Sequence, residues 1–204
     1  IGKGGQATVY KGMYKGKQVA VKMFKEIDFR CFAHELVIYT NFKHKNIPKF
    51  YGLVRVNSDY DGLVNEFISG KSLQDLEIES MDQLTKLKII SNIAQALDYI
   101  HSKDLVHRDI KPENIMIDNK SYVYLIDFGI AKVVHTGEDL ITRAKGTLNY
   151  LAPETLEEVD KGIDGSIISA ISNKVDIWAF GCIISYLFSG KKPWSNKYKD
   201  KPAF

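Results

Sequence analysis

The chain has 204 residues, 45% of them hydrophobic and 26% charged; that length holds one sizeable core or two small lobes, and the balance excludes disordered and collagen-like chains. Two cysteines, Cys31 and Cys182, make no disulfide framework and suit a reducing, cytoplasmic compartment, while the longest apolar run, the 12 residues from Ile177 to Phe188, is too short to cross a bilayer and suits a buried core helix. The net charge of +3 hides an uneven spread, with 10 Lys/Arg against 3 Asp/Glu in residues 1–51, 13 against 21 in 52–188 and 5 against 1 in 189–204; a solvated surface with a phosphate-binding lysine explains the basic front better than a nucleic-acid partner does.

The chain opens on Ile1-Gly2-Lys3-Gly4-Gly5-Gln6-Ala7-Thr8-Val9, where glycines let backbone N–H groups approach an anion with no Cβ in the way. Val19 to Met23 is a β-branched run and predicts a strand that carries Lys22. A helix-like stretch from Phe32 to Phe42 carries Glu35, and His44-Lys45-Asn46-Ile47 follows it. A second strand, Gly62 to Phe67, runs into Ile68-Ser69-Gly70, which reads as a linker. Beyond it Leu84, Leu87, Ile90, Ala94, Leu97 and His101 recur at three- and four-residue steps, one helical stripe, with Ser80 and Gln83 placed for a capping box. Ile115-Met116-Ile117 and Tyr122 to Ile126 predict a hairpin about Asp118-Asn119-Lys120.

Chemistry concentrates on either side of that hairpin. His107-Arg108-Asp109-Ile110-Lys111-Pro112-Glu113-Asn114 precedes it and Asp127-Phe128-Gly129 follows it. Together they offer a carboxylate to orient a hydroxyl, a lysine for a phosphate and two hard oxygen donors for magnesium, the parts that phosphoryl transfer needs close together. With Val-Ala-Val-Lys22 and Ala152-Pro153-Glu154, these strings resemble the eukaryotic-type protein kinase family, serine/threonine class.

The resemblance runs over all 204 residues and implies a two-lobed α+β fold: a β-rich N-lobe over residues 1–66 and a helical, partial C-lobe over 67–204, short of the last helices of the typical domain and of the arginine that pairs with Glu154 there. It implies ATP and magnesium as cofactors and protein substrates bearing Ser or Thr, with no membrane span. Ile1, Gly2, Lys3, Gly4, Gly5, Gln6, Ala7, Thr8 and Val9 would form the glycine-rich loop, with Ala7 in place of its third glycine. Lys22, held by Glu35, would contact phosphates; Glu66 and Ile68 would hold the adenine from the hinge; Val9, Ala20 and Met116 would sandwich it. Asn65 would stand behind the adenine, an amide that needs partners when buried.

By the same resemblance Asp109 is the catalytic carboxylate, Lys111 the charge neutraliser, and Asn114 and Asp127 the metal ligands. Thr147 would hydrogen-bond Asp109 and Lys111, and Asp176 would hold the catalytic-loop backbone from below. Lys111 implies Ser/Thr acceptors, and Ile130 resembles kinases that favour Thr. Arg108 would pair with an activation-segment phosphate, for which Thr136 and Thr142 are candidates. Some ten residues more than the compact family pattern lie between Glu154 and Asp176, around Glu157 to Ala170, either a docking element or a tolerated insertion. Two other readings stand beside the enzyme: a nucleotide-binding pseudokinase or scaffold without turnover, against which Lys22, Asp109 and Asp127 are all present, and a small-molecule kinase, against which Ala152-Pro153-Glu154 argues.

Overall fold

The computed structural model describes residues 2–3, 7–24, 29–55, 60–134, 140–143, 146–155, 160–161 and 167–195. The front of the chain is a five-stranded antiparallel sheet with one helix. β1 (Gly2–Lys3), β2 (Ala7–Tyr14), β3 (Lys17–Phe24), β4 (Phe50–Arg55) and β5 (Tyr60–Glu66) lie in the order β1-β2-β3-β5-β4, and α1 (Phe29–Asn41) connects β3 to β4. Lys15 and Gly16, at φ 48° and 73°, form the two-residue turn between β2 and β3; positive φ at both positions matches the right-handed twist of the strands it joins.

The rest of the chain is helices and short strands. In order come β6 (Gly70–Ser72), α2 (Gln83–His101), β7 (Leu105–Val106), β8 (Ile115–Asp118), β9 (Val123–Leu125), β10 (Lys132–Val133), β11 (Leu140–Arg143), β12 (Asp160–Lys161), β13 (Ile167–Ile171) and α3 (Lys174–Ser189). They make three small sheets among the described residues, β6-β8-β9, β7-β10 and β11-β13-β12. This is the α+β class expected, and the predicted strands, hairpin and α1 all fall within two or three residues of their expected places.

Two local expectations are corrected. The N-cap of α2 is Asp82, whose carboxylate accepts the Thr85 backbone N–H at 2.9 Å, while the Ser80 hydroxyl turns back to the Glu77 carbonyl at 2.9 Å. A carboxylate one residue before the first turn reaches the free N–H groups that Ser80, two residues further out in a 3-10 turn, does not. The buried stripe of α2 is also rotated: Ile89, Ile93, Ala96, Leu97 and Ile100 are buried, whereas Leu84 and Leu87 are 61% and 49% exposed and Ala94 is exposed. Three- and four-residue spacing admits both stripes, and contact with β9, β7 and α3 selects one.

The apolar helix α3 likewise buries one face only. Ala179, Ile183 and Leu187 enter the core, while Ile177, Trp178 and Phe188 are 52%, 37% and 51% exposed. One core cluster joins Phe32, Ile38 and Tyr39 of α1 and Leu63 of β5 to α2, β8, β9 and α3.

The turn after α1 fastens the sheet to α2. His44 stacks on Tyr99 at 4.8 Å, and the Lys43 N–H donates to the Tyr99 hydroxyl at 2.8 Å. The Asn46 amide donates to Asn92 Oδ1 and to the Val123 carbonyl, at 2.9 and 2.7 Å, and the Asn46 carbonyl accepts the Leu125 N–H at 2.8 Å. These bonds hold the helix that carries Glu35 at a set distance from the strand that leads to Asp127.

Candidate active site

Three segments far apart in sequence meet at Lys22. β3 presents it, α1 presents Glu35 and the turn after β9 presents Asp127. Lys22 Nζ lies 2.8 Å from both Glu35 oxygens and 2.8 Å from Asp127 Oδ1. Burial pulls the ammonium down, and the two carboxylates outweigh it and hold Lys22 above its ordinary value. Burial pushes Glu35 up against the opposing pull of Lys22. In Asp127 the upward push of burial is outweighed by the Lys22 charge and hydrogen bond, which hold the carboxyl below its ordinary value. The Glu35 side chain is 1% exposed and that of Asp127 46%, so the charge cluster opens on the Asp127 side.

Local backbone chemistry brings Asp127 there. It sits at φ 63°, a left-handed conformation that aspartate tolerates better than most residues. A Cβ on Gly129 would lie 3.2 Å from Asp127 Oδ1 and 3.6 Å from Lys22 Nζ, so any larger residue would press on the carboxylate that Lys22 holds. Phe128 between them is fully buried, edge-on to Tyr39 at 5.6 Å and 4.8 Å from the His107 ring. Tyr39 in turn stacks on Phe50 at 6.4 Å. Sequence reasoning did not single out Tyr39 or Phe50; the signal was available, since Tyr39 lies four residues after Glu35 on the same helix face.

The second cluster is built on Asp109. Lys111 Nζ lies 2.7 Å from Asp109 Oδ2. The Thr147 hydroxyl donates to Asp109 Oδ1 at 3.0 Å and accepts from Lys111 Nζ at 2.9 Å. The Asn114 amide donates to Asp109 Oδ2 at 2.9 Å and to the Asp109 carbonyl at 2.8 Å. The expected partners of Thr147 are therefore the observed ones.

Asp176 holds this loop from beneath. Its carboxylate, 1% exposed, accepts the His107 and Arg108 backbone N–H groups at 2.8 Å each and lies 2.9 Å from His101 Nε2. Arg108 sits at φ 70°, an uncommon conformation for a side-chain-bearing residue, and the carboxylate fixes it. The His107 ring is fully buried; burial lowers its pKa. Its Nδ1 accepts the Asp109 N–H at 3.3 Å and its Nε2 faces the Ile126 carbonyl at 3.1 Å, which assigns the proton of the neutral ring to Nε2.

Register places the expected base-binding residues. Val9 pairs with Lys22, and Ala20 pairs with both Lys11 and Asn65. Directly paired residues share a face, so Val9, Ala20 and Asn65 lie on the same side of the sheet as Lys22. Glu66 is pinned by Lys49, its N–H donating to the Lys49 carbonyl at 2.7 Å and its carboxylate accepting the Lys49 N–H at 3.2 Å. Ile68 is buried; Met116 is half-buried in β8; Thr8 is on the opposite face from Val9. Ala7 is buried opposite Phe24. Asn65 is buried and its Oδ1 has no hydrogen-bond partner among the described residues. Ile1, Gly4, Gly5 and Gln6 lie outside the described residues, as does Thr136, and Gly2 and Lys3 are described as backbone only.

The model of the protein kinase domain family matches residues 1–203 of this chain. The chain belongs to the protein kinase domain family. Among curated kinases it is similar to wall-associated receptor kinase-like 10 of Arabidopsis thaliana, 36% identical over 94% of this chain and 25% of that protein. It is also similar to a probable LIM domain-containing serine/threonine-protein kinase of Dictyostelium discoideum, at 32% over 96% of this chain and 30% of that protein. With the serine/threonine-protein kinase cds1 of Schizosaccharomyces pombe it shares 31% over 83% of its length and 36% of that protein's. The chain thus spans about a quarter to a third of these three relatives. No helix among the described residues of this kinase domain is long and apolar enough to cross a membrane.

Proposed function

We propose that this kinase domain transfers the γ-phosphate of ATP to Ser or Thr hydroxyls of protein substrates. The observation that carries the proposal is the closed set of contacts among Asp109, Lys111, Thr147 and Asn114. Asp109 Oδ1 already accepts one hydroxyl hydrogen bond, from Thr147, and a substrate hydroxyl brought beside it would meet the same acceptor. Lys111, 2.7 Å from that carboxylate, would neutralise charge that gathers on the transferred phosphoryl group. Such prepositioned charge is worth most where the reaction develops it. Lys22, fixed by Glu35, would hold the phosphates at the other end, and Val9, Ala20, Glu66, Ile68 and Met116 the base.

The donor set fits one hard divalent cation. Asp127 Oδ2 and Asn114 Oδ1 take no part in the contacts above and are oxygen donors of the kind magnesium prefers. Among the described residues no group of three or more His, Cys, Asp or Glu gathers to hold a metal, so phosphate oxygens and water would complete the shell. When bound, the ion supplies charge neutralisation at the phosphates.

Phosphate incorporation into a degenerate Ser/Thr peptide library tests the proposal. The wild-type chain should label peptides in a metal-dependent way, and Asp109→Asn should lose at least about a hundredfold in rate. Equal labelling by both proteins refutes the assignment. Nucleotide binding with no labelling by either supports the scaffold reading, and labelling of small alcohols alone supports a small-molecule kinase.

A further inference from the structure

The residues between Glu154 and Asp176 that exceed the compact pattern do not stand apart from the site. Their strand β13 pairs antiparallel with β11, in the register Leu140↔Ile171, Ile141↔Ala170, Thr142↔Ser169 and Arg143↔Ile168. β12 pairs with the far side of β13, through Asp160↔Ile168 and Lys161↔Ile167. β13 is therefore the central strand of a three-stranded sheet, and among the described residues it is the strand that pairs with β11. The strand β11 ends at Arg143, four residues before Thr147, whose hydroxyl bridges Asp109 and Lys111. Four residues reach at most about 14 Å, so the place of β11 limits where Thr147 can be.

A second contact points the same way. β13 also packs on the 3-10 turn Pro153–Thr155, and Thr155 lines a small cavity together with Asp109, Thr147 and Ala152. Between these points Gly146, at φ 130°, passes so close to the Arg108 carbonyl that a Cβ would lie 2.8 Å from it. β11 and the turn Pro153–Thr155 are thus both held by β13, and Gly146, between them in sequence, is pressed against the loop of Asp109.

We propose that this extra stretch is a positioning element for the acceptor: by pairing with β11 and packing on the turn at Pro153–Thr155, it fixes the chain that carries Thr147 and so sets where a Ser- or Thr-bearing peptide lies against Asp109. The proposal rests on the kinase function proposed above. It assigns the stretch to the substrate side of the reaction, with no role in holding nucleotide, because no residue of β12 or β13 pairs with the sheet that bears Lys22. A three-stranded sheet is also more stable by itself than a two-stranded ribbon, which gives β12 its part.

Ser169→Pro tests it, since a proline in a central strand removes a ladder donor. Ser169→Thr serves as the conservative control, and Ser169→Gly as a milder disruption should the proline variant fail to fold. In Ser169→Pro the KM for a peptide substrate should rise about tenfold while nucleotide affinity stays within roughly twofold, with Ser169→Gly smaller in the same direction and Ser169→Thr as wild type. Hydrogen exchange of the Leu140–Arg143 amides should speed up in parallel. Faster exchange without a change in peptide KM overturns the positioning role, and an equal loss of nucleotide affinity overturns its restriction to the acceptor side. Fast exchange of these amides in the wild-type chain overturns the pairing itself. Exchange decides that point even if the wild-type chain transfers no phosphate, the result that would refute the kinase function.

Discussion

Single side chains at this site are held by charge and by the absence of atoms. Lys22 satisfies two carboxylates at 2.8 Å, and Gly129 leaves the space in which it does so. Asn65 is the contrary case, a buried amide in β5 whose Oδ1 has no partner among the described residues, on the same sheet face as Lys22. A buried acceptor left without a donor loses its hydration and gains nothing in return. Asn65→Val, which also suits a strand, should therefore stabilise the fold by about 1–2 kcal/mol. Urea denaturation reads this directly; a lower midpoint in the variant would mean that the amide is satisfied in solution. Lys22, Asp109 and Asp127 stand out in the sequence because each lies in a string of low degeneracy. The orphan state of Asn65 was not legible there, because a sequence names a buried amide's need without naming what surrounds it.

At the scale of elements, the loop of Asp109 depends on α3. Asp176 in the first turn of that helix accepts two backbone N–H groups of the loop, and both are buried. Replacing it with alanine takes the carboxylate acceptor away from those two backbone donors. Asp176→Ala should cost about 3–5 kcal/mol of stability and lower transfer activity together with it. Asp176→Asn, which keeps one acceptor oxygen, should lose less. Equal stability of wild type and Asp176→Ala in a denaturant titration would refute the support role. The longer helices and the strands at β3, β5, β8 and β9 were readable from local runs and spacing, but which face of each helix is buried was not. In α2 the chosen stripe runs through Ile89, Ile93 and Ile100 and leaves Leu84 and Leu87 out, because β9, β7 and α3 cover that side. The partnership of β11 with β13 joins segments about thirty residues apart in sequence, and neither segment's own pattern names the other.

Over the whole molecule, one aromatic column crosses from the front sheet to the loop of Asp109: Phe50, Tyr39, Phe128 and His107 in succession. Its last member makes the fold sensitive to acid. Burial holds the His107 pKa below the ordinary histidine value of 6.5, so the unfolded chain takes up a proton on this residue before the folded chain does. Stability from this residue is complete above about pH 6.5 and is lost as pH falls from there toward the folded-state pKa, with a limiting slope of about 1.4 kcal/mol per pH unit. Protonation would also set an N–H on Nδ1 against the Asp109 N–H that it now accepts. Denaturation free energies at pH 7.5 and 5.5 should differ more in the wild type than in His107→Asn, and equal differences in the two proteins would remove His107 as the cause.

By itself the sequence determined the family, the α+β class, the strand that carries Lys22 and the helix that carries Glu35, and the chemical type of each group at the site, since side-chain identity and local spacing are properties of the chain alone. Tertiary structure decided what those properties leave open: that Lys22 meets two carboxylates at once, that Asp176 anchors two backbone donors, that Asn65 is buried with no partner for its Oδ1 among the described residues, and that β13 pairs with the strand leading to Thr147. Each of these is a distance between segments remote in sequence, and such distances are set by which faces pack together and which strands pair.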